Sequence, residues 1–324
     1  MTTKEKVLEL LQKQGSLSAS ELADNLDLSR QMVHIALRDL TESRMIQRIG
    51  RPPKTVYQIK VQTQVSEIDL HPDETSFLKR NFILITETGD IKEGAQGFQL
   101  WCTQRKLPFE KTAQEYINTL KKYHAYFNAD GFIDGMDKLK STKGYDKLYL
   151  DNLYYLDFYA IERFGKTRLG TILHYAKQGQ SRLLMKLLVN ETKSKVEELC
   201  TLIHADGVGF VPPTIRREVQ LMKYLQTHYA LKLPLIKLNK TSGIIPVPQK
   251  SLTKLEERIS NAQQTFSIPE TRKFNHVLLI DDAVGSGATV NEIAGKIKKK
   301  GIAEKVSALA ITGSFKGFDV ITDV

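Results

Sequence analysis

Hydrophobic positions in the first forty residues recur at the helical interval. Val7, Leu8 and Leu11 fall on one face of a first helix, and Gly15 stops it. Ser18-Ala19-Ser20-Glu21 has capping-box spacing and opens a second helix that buries Leu22, Ala23 and Leu26. Asp27 and Leu28 make a turn. Ser29 caps a third helix running to Glu42, with Val33, Ala36, Leu37 and Leu40 as its buried stripe. Arg30, Gln31, His34 and Arg38 fall on its other side. After Met45 the chain reads as two short strands, Ile46 to Ile49 and Thr55 to Ile59, around the basic turn Gly50-Arg51-Pro52-Pro53-Lys54.

In the middle of the chain, Pro72-Asp73-Glu74 marks a helix start, and Phe82 to Thr86 reads as a strand ended by Gly89. Tyr116, Leu120, Tyr123 and Phe127 share one face of a helix over 111–127, a stripe of the kind that packs a core; Trp101 reads as a packing anchor. From about Tyr155 helices alternate with short apolar strands, which predicts a parallel sheet flanked by helices. Helices are expected over Leu183 to Val189, Val196 to Ile203 and Arg216 to His228. Strands are expected over Val208 to Val211, broken by Pro212-Pro213, and over Leu233 to Leu238. Val277 to Ile280 is a continuous apolar strand suited to a central parallel position. The helix that follows carries Val290, Ile293, Ala294 and Ile297 on its core face. Lys296 and Lys298 to Lys300 gather at its end, and Gly301 terminates it.

A chain of 324 residues can hold two domains, or one with a large extension, and 41% hydrophobic with 26% charged residues describes a globular protein. The net charge of +10 favours anionic partners such as nucleic acid or phosphorylated small molecules. Residues 1–62 hold ten Lys and Arg against seven Asp and Glu, a net of only +3. Cys102 and Cys200 stand far apart and supply neither a zinc ribbon nor a disulfide framework, so they are expected to be reduced, packed thiols. The polar N-terminus carries no signal-peptide pattern, and the apolar runs are strand-length, so the expectation is a cytoplasmic protein without membrane spans.

The segment with the most chemistry is Asp281-Asp282-Ala283-Val284-Gly285-Ser286-Gly287-Ala288-Thr289, between the strand and the helix. Small residues at 285 to 288 let backbone N–H groups approach a phosphate, the helix N-terminus adds positive potential, and Ser286 and Thr289 add hydroxyls. Consecutive carboxylates would repel phosphate but accept hydrogen bonds from sugar hydroxyls. A ribose-5-phosphate ligand needs both kinds of recognition side by side. A dinucleotide fingerprint would need Gly where Val290 stands, and a P-loop would need a Lys after Gly287.

Two resemblances follow. Residues 1–62, three helices and a hairpin wing, resemble the winged helix-turn-helix domains of bacterial regulators. This implies a DNA-binding role, with Arg30, Gln31, His34 and Arg38 offered to base edges and Arg51 and Lys54 near phosphates or the minor groove. Val277 to Thr289 resembles the 5-phosphoribosyl-1-diphosphate (PRPP) motif of type I phosphoribosyltransferases. Gln249, Leu252, Arg258, Asn261 and Phe266 fall on the upstream run of the ComF/amidophosphoribosyltransferase-like branch, and Arg168-Leu169 with Tyr175-Ala176-Lys177 sits where that branch has its early helix. The likeness covers about 155–315. It departs in having no four-cysteine zinc ribbon, and in the wording of the loop Pro212 to Arg217, which stands where that branch has its diphosphate loop.

The resemblance implies an α/β fold with a type I phosphoribosyltransferase-like parallel sheet over 151–324, after a winged helix over 1–62 and a mostly helical connecting region over 63–150. It implies PRPP as ligand, with Asp281 and Asp282 as catalytic carboxylates, Mg²⁺ carried by PRPP rather than held by a direct protein site, Arg216 or Arg217 on the diphosphate, and a hood over Gln249 to Asn261 that includes Lys250, Lys254 and Arg258. Two functions stay open: a PRPP- or nucleotide-responsive transcriptional regulator, or a working transferase or nucleotide-consuming effector tethered by its winged helix. Similar pairings occur beside reverse transcriptases of retrons, which adds a protein or reverse-transcriptase partner to the expected nucleic acid. A homodimer is expected from the way winged helices read paired half-sites.

Overall fold

Thr2 opens the first helix by a reciprocal bond: its Oγ1 accepts the Glu5 amide at 3.3 Å while the Glu5 carboxylate accepts the Thr2 amide at 2.8 Å. The computed structural model describes residues 1–43, 45–60, 70–213, 215, 217–241, 252 and 254–315. They fall into two units, Met1–Asp69 with Thr86–Asp90, and Leu70–Ile85 with Ile91–Val324.

In the first unit, α1 (Thr3–Gln14) ends at Gly15, whose φ of 81° is left-handed. Ser18 and Glu21 close a second capping box at the head of α2 (Ala19–Leu26), and Ser29 caps α3 (Arg30–Glu42) by accepting the Met32 amide. β1 (Ile46–Arg51) and β2 (Lys54–Ile59) pair antiparallel with Arg51 opposite Lys54. Gly50, at φ 83°, has no room for a side chain, because a Cβ there would run into the Lys54 carbonyl oxygen. Leu17 and Tyr57 exchange backbone hydrogen bonds at 2.9 and 2.7 Å, which ties the α1–α2 connection to the hairpin. Val7, Leu11, Leu22, Val33, Leu37, Leu40 and Ile46 form the core, the stripe that the sequence pattern predicts.

The second unit begins with α4 (Pro72–Asn81), the hairpin β3 (Ile83–Ile85) and β4 (Ile91–Glu93), α5 (Gly94–Gln104) and α6 (Phe109–His124). Trp101 stacks on Phe98 at 5.4 Å between ring centroids, with Phe82 and Phe164 around it; Tyr116 meets Phe98, Phe82 and Phe164, so the aromatic stripe is core. Phe164 comes from the segment after residue 151, so residues 70–85 and 91–150 belong to the same unit as the parallel sheet. Next come β5 (Ile133–Asp134), α7 (Met136–Ser141), β6 (Asn152–Phe158), the small hairpin β7 (Ala160–Ile161) and β8 (Gly165–Lys166), α8 (Arg168–Gln178) and α9 (Arg182–Leu202). The chain continues through β9 (Gly207–Phe210), α10 (Leu221–Tyr229), β10 (Asn239–Lys240), α11 (Leu255–Thr265), β11 (Phe266–Ser267), β12 (Phe274–Val284), α12 (Ala288–Lys299) and β13 (Ala303–Gly313).

The main sheet has the order β5-β6-β13-β12-β9, with β5 antiparallel and the other four parallel. A parallel bridge between Val208 and Leu235 extends it beyond β9. β12 has neighbours on both edges, and Val277 to Ile280 are fully buried, which is why its sequence is a continuous apolar run. Leu278, Ile280, Leu309, Ile311 and Phe210 share a core with Leu173 of α8, Leu188 and Leu199 of α9, and Leu225 of α10.

Three elements differ from the sequence pattern. The two helical stretches are one helix, Arg182–Leu202, because Thr192 is accommodated in its buried face by bonds to the Leu188 carbonyl and the Tyr229 hydroxyl, both at 2.6 Å. α10 starts at Leu221; before it, the Val219 amide and the Gln220 side chain bond Gln180 and the Arg217 carbonyl. Leu233 to Leu238 contributes only a bridge: Pro234 accepts from Val208 at 3.0 Å but has no amide to give, and Ile236 donates to Val208 at 2.8 Å. Cys102 and Cys200 are buried free thiols. Among the described residues no helix is long and apolar enough to cross a membrane.

Candidate functional site

β12 carries Asp281, Asp282, Ala283 and Val284 inside the strand, one residue type after another on alternating faces, and the turn is confined to Gly285, Ser286 and Gly287. Gly287 is the N-cap of α12 at φ 86° and has no side chain with which to cap it, and a Cβ on Gly287 would lie 2.6 Å from Leu139 Cδ1. The Ala288 amide meets Ser286 Oγ at 3.3 Å, and Thr289 is half-buried in the first turn.

The turn is braced by residues from 138–149. Tyr145 Oη donates to the Ser286 carbonyl at 2.8 Å. Lys138 Nζ donates to the Ser314 carbonyl at 2.9 Å and to Ser314 Oγ, and Ser314 donates its amide to Val284. Burial pulls the Lys138 ammonium down to about 8 and pushes the Tyr145 phenol up. Asn291, fully buried on α12, accepts the Tyr149 amide at 2.7 Å and donates to the Lys147 carbonyl at 3.1 Å.

Around the carboxylates the electrostatics are mixed. Lys177 of α8 forms an ion pair with Asp282 at 2.6 Å, with side chains 22% and 9% exposed. The Asp281 carboxyl is raised above the usual carboxylate range by burial and by the neighbouring Asp282, against the pull of Lys177 and Lys240; its Oδ1 accepts the Asp282 amide at 2.8 Å. Burial also lowers the Lys240 ammonium to about 8, with Asp281 opposing that shift. Sequence reasoning assigned no role to Lys177, Lys240, Tyr145 or Lys138. Three helices, α9 to α11, separate Lys177 from Asp282 in the chain, and nothing in the spacing of the two residues shows that the fold brings them together.

The arginines separate. Arg217 donates to Gln178 Oε1 at 2.7 Å, which brings it to the end of α8, where Gln178 follows Lys177. Arg258 is only 7% exposed and its Nε donates to the Leu252 carbonyl at 2.7 Å, a packed position on α11. Arg216 lies outside the described residues, as do Gln249 and Lys250 of the expected hood.

On the winged helix, Gln31, His34 and Arg38 are exposed on α3, as is Arg30, whose guanidinium bonds Ser20 Oγ of α2 at 3.4 Å. Lys54 is exposed at the hairpin turn after the cis Pro52-Pro53 bond; the Arg51 side chain lies outside the described ones. α3 also exposes two apolar side chains, Met32 and Ile35, which the pattern of charges did not single out.

Residues 2–47 match a family model described as winged helix-turn-helix DNA-binding, so the first unit contains a winged helix-turn-helix domain. Among solved structures, the chain is similar to the Zalpha domain from Carassius auratus PKZ in complex with Z-DNA, at 21% identity and a TM-score of 0.17, covering 18% of this chain and 92% of that one. No curated protein matches the chain.

Proposed function

We propose that this chain is a nucleic-acid-binding regulator whose winged helix holds DNA and whose parallel sheet holds PRPP or a nucleotide that tunes that affinity. The observation that carries the second half is topological. β9 and β12 are parallel neighbours, yet the chain leaves β9 toward Leu235 on its far side and leaves β12 toward β13 on the other. Opposite departures open a crevice at the carboxyl ends of the two strands, where ligands of open α/β sheets bind. The loop Pro212 to Arg217 follows β9 and the loop Gly285 to Gly287 follows β12, the two segments that the phosphoribosyltransferase resemblance assigns to diphosphate and ribose phosphate.

The residues present suit such a ligand. The α12 N-terminus with Ser286 and Thr289 would take the 5-phosphate, and Asp281 and Asp282 would accept from ribose hydroxyls. Hard carboxylate oxygens also suit Mg²⁺ travelling with the diphosphate, and Arg217 would face the same anion. Bound PRPP supplies an activated anomeric carbon with diphosphate as leaving group. Lys177 would give up part of its pairing with Asp282 as the sugar enters. A catalytic version of this pocket is favoured by the raised Asp281 carboxyl, a group able to take up a proton from an incoming nucleophile.

Thermal denaturation of the full chain tests the reading. PRPP with Mg²⁺ at about a hundred times its dissociation constant should stabilise by ~2.7 kcal/mol, and Asp281→Asn with Asp282→Asn should remove the shift. An unchanged Tm in the parent chain sinks the ligand reading. A change in DNA affinity on adding PRPP marks the regulator; diphosphate release with a base or nucleotide marks the enzyme.

A further inference from the structure

Helix α3 turns about 100° per residue, so Gln31, His34, Ile35 and Arg38 fall within an arc of ~100° opposite Val33, Ala36, Leu37 and Leu40. Ile35 is 47% exposed at the edge of that arc, beside Gln31 and Arg38, and Met32, one turn before it and also 47% exposed, lies just beyond that edge. The two line a shallow depression with Thr2, Thr3, Lys4 and Ala36. A half-exposed isoleucine beside glutamine and arginine stands outside the buried core that Val33, Ala36, Leu37 and Leu40 complete.

The chemistry of the arc identifies what covers it. Lys54 suits phosphate, Arg38 the acceptors of guanine, and Gln31 the paired donor and acceptor of adenine. The apolar group that a major groove offers beside them is the thymine C5-methyl. Resting on the DNA-binding reading above, we infer that Ile35, helped by Met32, is a specificity-determining residue that reads a thymine methyl, so that the bound site carries a T in the base pair read by Gln31 or in the next one. Gln31 and Ile35 are one turn apart on the same face, which lets one A·T pair or two adjacent pairs satisfy both.

The test uses the full chain and duplexes selected from a random-sequence pool, resynthesised with uracil in place of thymine so that only the methyl is lost. The parent chain should bind the uracil duplex about fourfold more weakly, the worth of one buried methyl. Ile35→Ala should bind both duplexes equally, and Ile35→Val should keep most of the preference. Ile35 is half exposed, so these changes leave the core intact. Salt-sensitive binding with no methyl effect, or a preference that survives in Ile35→Ala, overturns the methyl contact and leaves the DNA reading standing. A change of oligomeric state in Ile35→Ala without any methyl effect overturns it in favour of a protein interface. Failure of every duplex to bind overturns both.

Discussion

Asp157 sits near the carboxyl end of β6, its Oδ1 accepting the Phe158 amide at 2.7 Å, in register with Thr312 on β13. Thr312 Oγ1 is buried there without a hydrogen-bond partner among the described residues. Burial pushes the Asp157 carboxyl up to about 7, more than the bonds from Thr167 and Phe158 hold it down. With the folded value above the unfolded one, the favourable contribution is complete below about pH 4 and is lost as pH rises through 7. Asp157→Asn keeps the oxygen that accepts the Phe158 amide and removes the charge. The variant should match the parent near pH 4 and exceed it above pH 7, by up to about 4 kcal/mol in urea unfolding. A parent-minus-variant difference that does not change with pH would mean that Asp157 stays solvated.

At the level of elements, the short helix α2 depends on its cap. Its eight residues make few internal hydrogen bonds, and Ser18 with Glu21 satisfies two donors at its head. Ser18→Ala should cost about 1 kcal/mol, seen as roughly fivefold faster amide exchange over α2, while β12 amides are unchanged. That cap was readable in the sequence because its four residues are contiguous, and so were the wing's turn, the central strand of the sheet and the helix ended by Gly301. Contiguity is also the limit. The Lys177–Asp282 pair, the Tyr145 brace under Ser286 and the burial of Arg258 depend on segments brought together by the fold, and no periodicity reports them. The exposure of Ile35 is hidden for another reason: it lies at the rim of the polar arc of α3, where the periodicity of the helix does not distinguish it from a core residue.

For the whole molecule, the charge is unevenly allotted. Residues 1–62 carry +3 of the net +10, so the attraction of the winged helix for DNA has to come from a few well-placed side chains rather than from a dense basic face. Lys54, exposed at the tip of the hairpin, is one of them. Lys54→Ala should weaken binding to all sequences alike and reduce the slope of log affinity against log salt by about 0.9. A loss confined to particular sequences would place Lys54 on a base instead.

The position of β13 between β6 and β12 has a consequence for how the protein is made. Residues 159 to 302 separate β6 from β13, so a ribosome adding 5–20 residues per second needs on the order of ten seconds between the two. The winged helix, whose contacts are local, can close within that wait. The larger sheet cannot, since β13, which joins β6 to β12, is made after both. Through that interval the nascent chain offers two unsatisfied strand edges, at β6 and then at β12, each able to pair with a neighbouring chain. The time window for misassembly is therefore written into the strand order, and it closes only when β13 arrives.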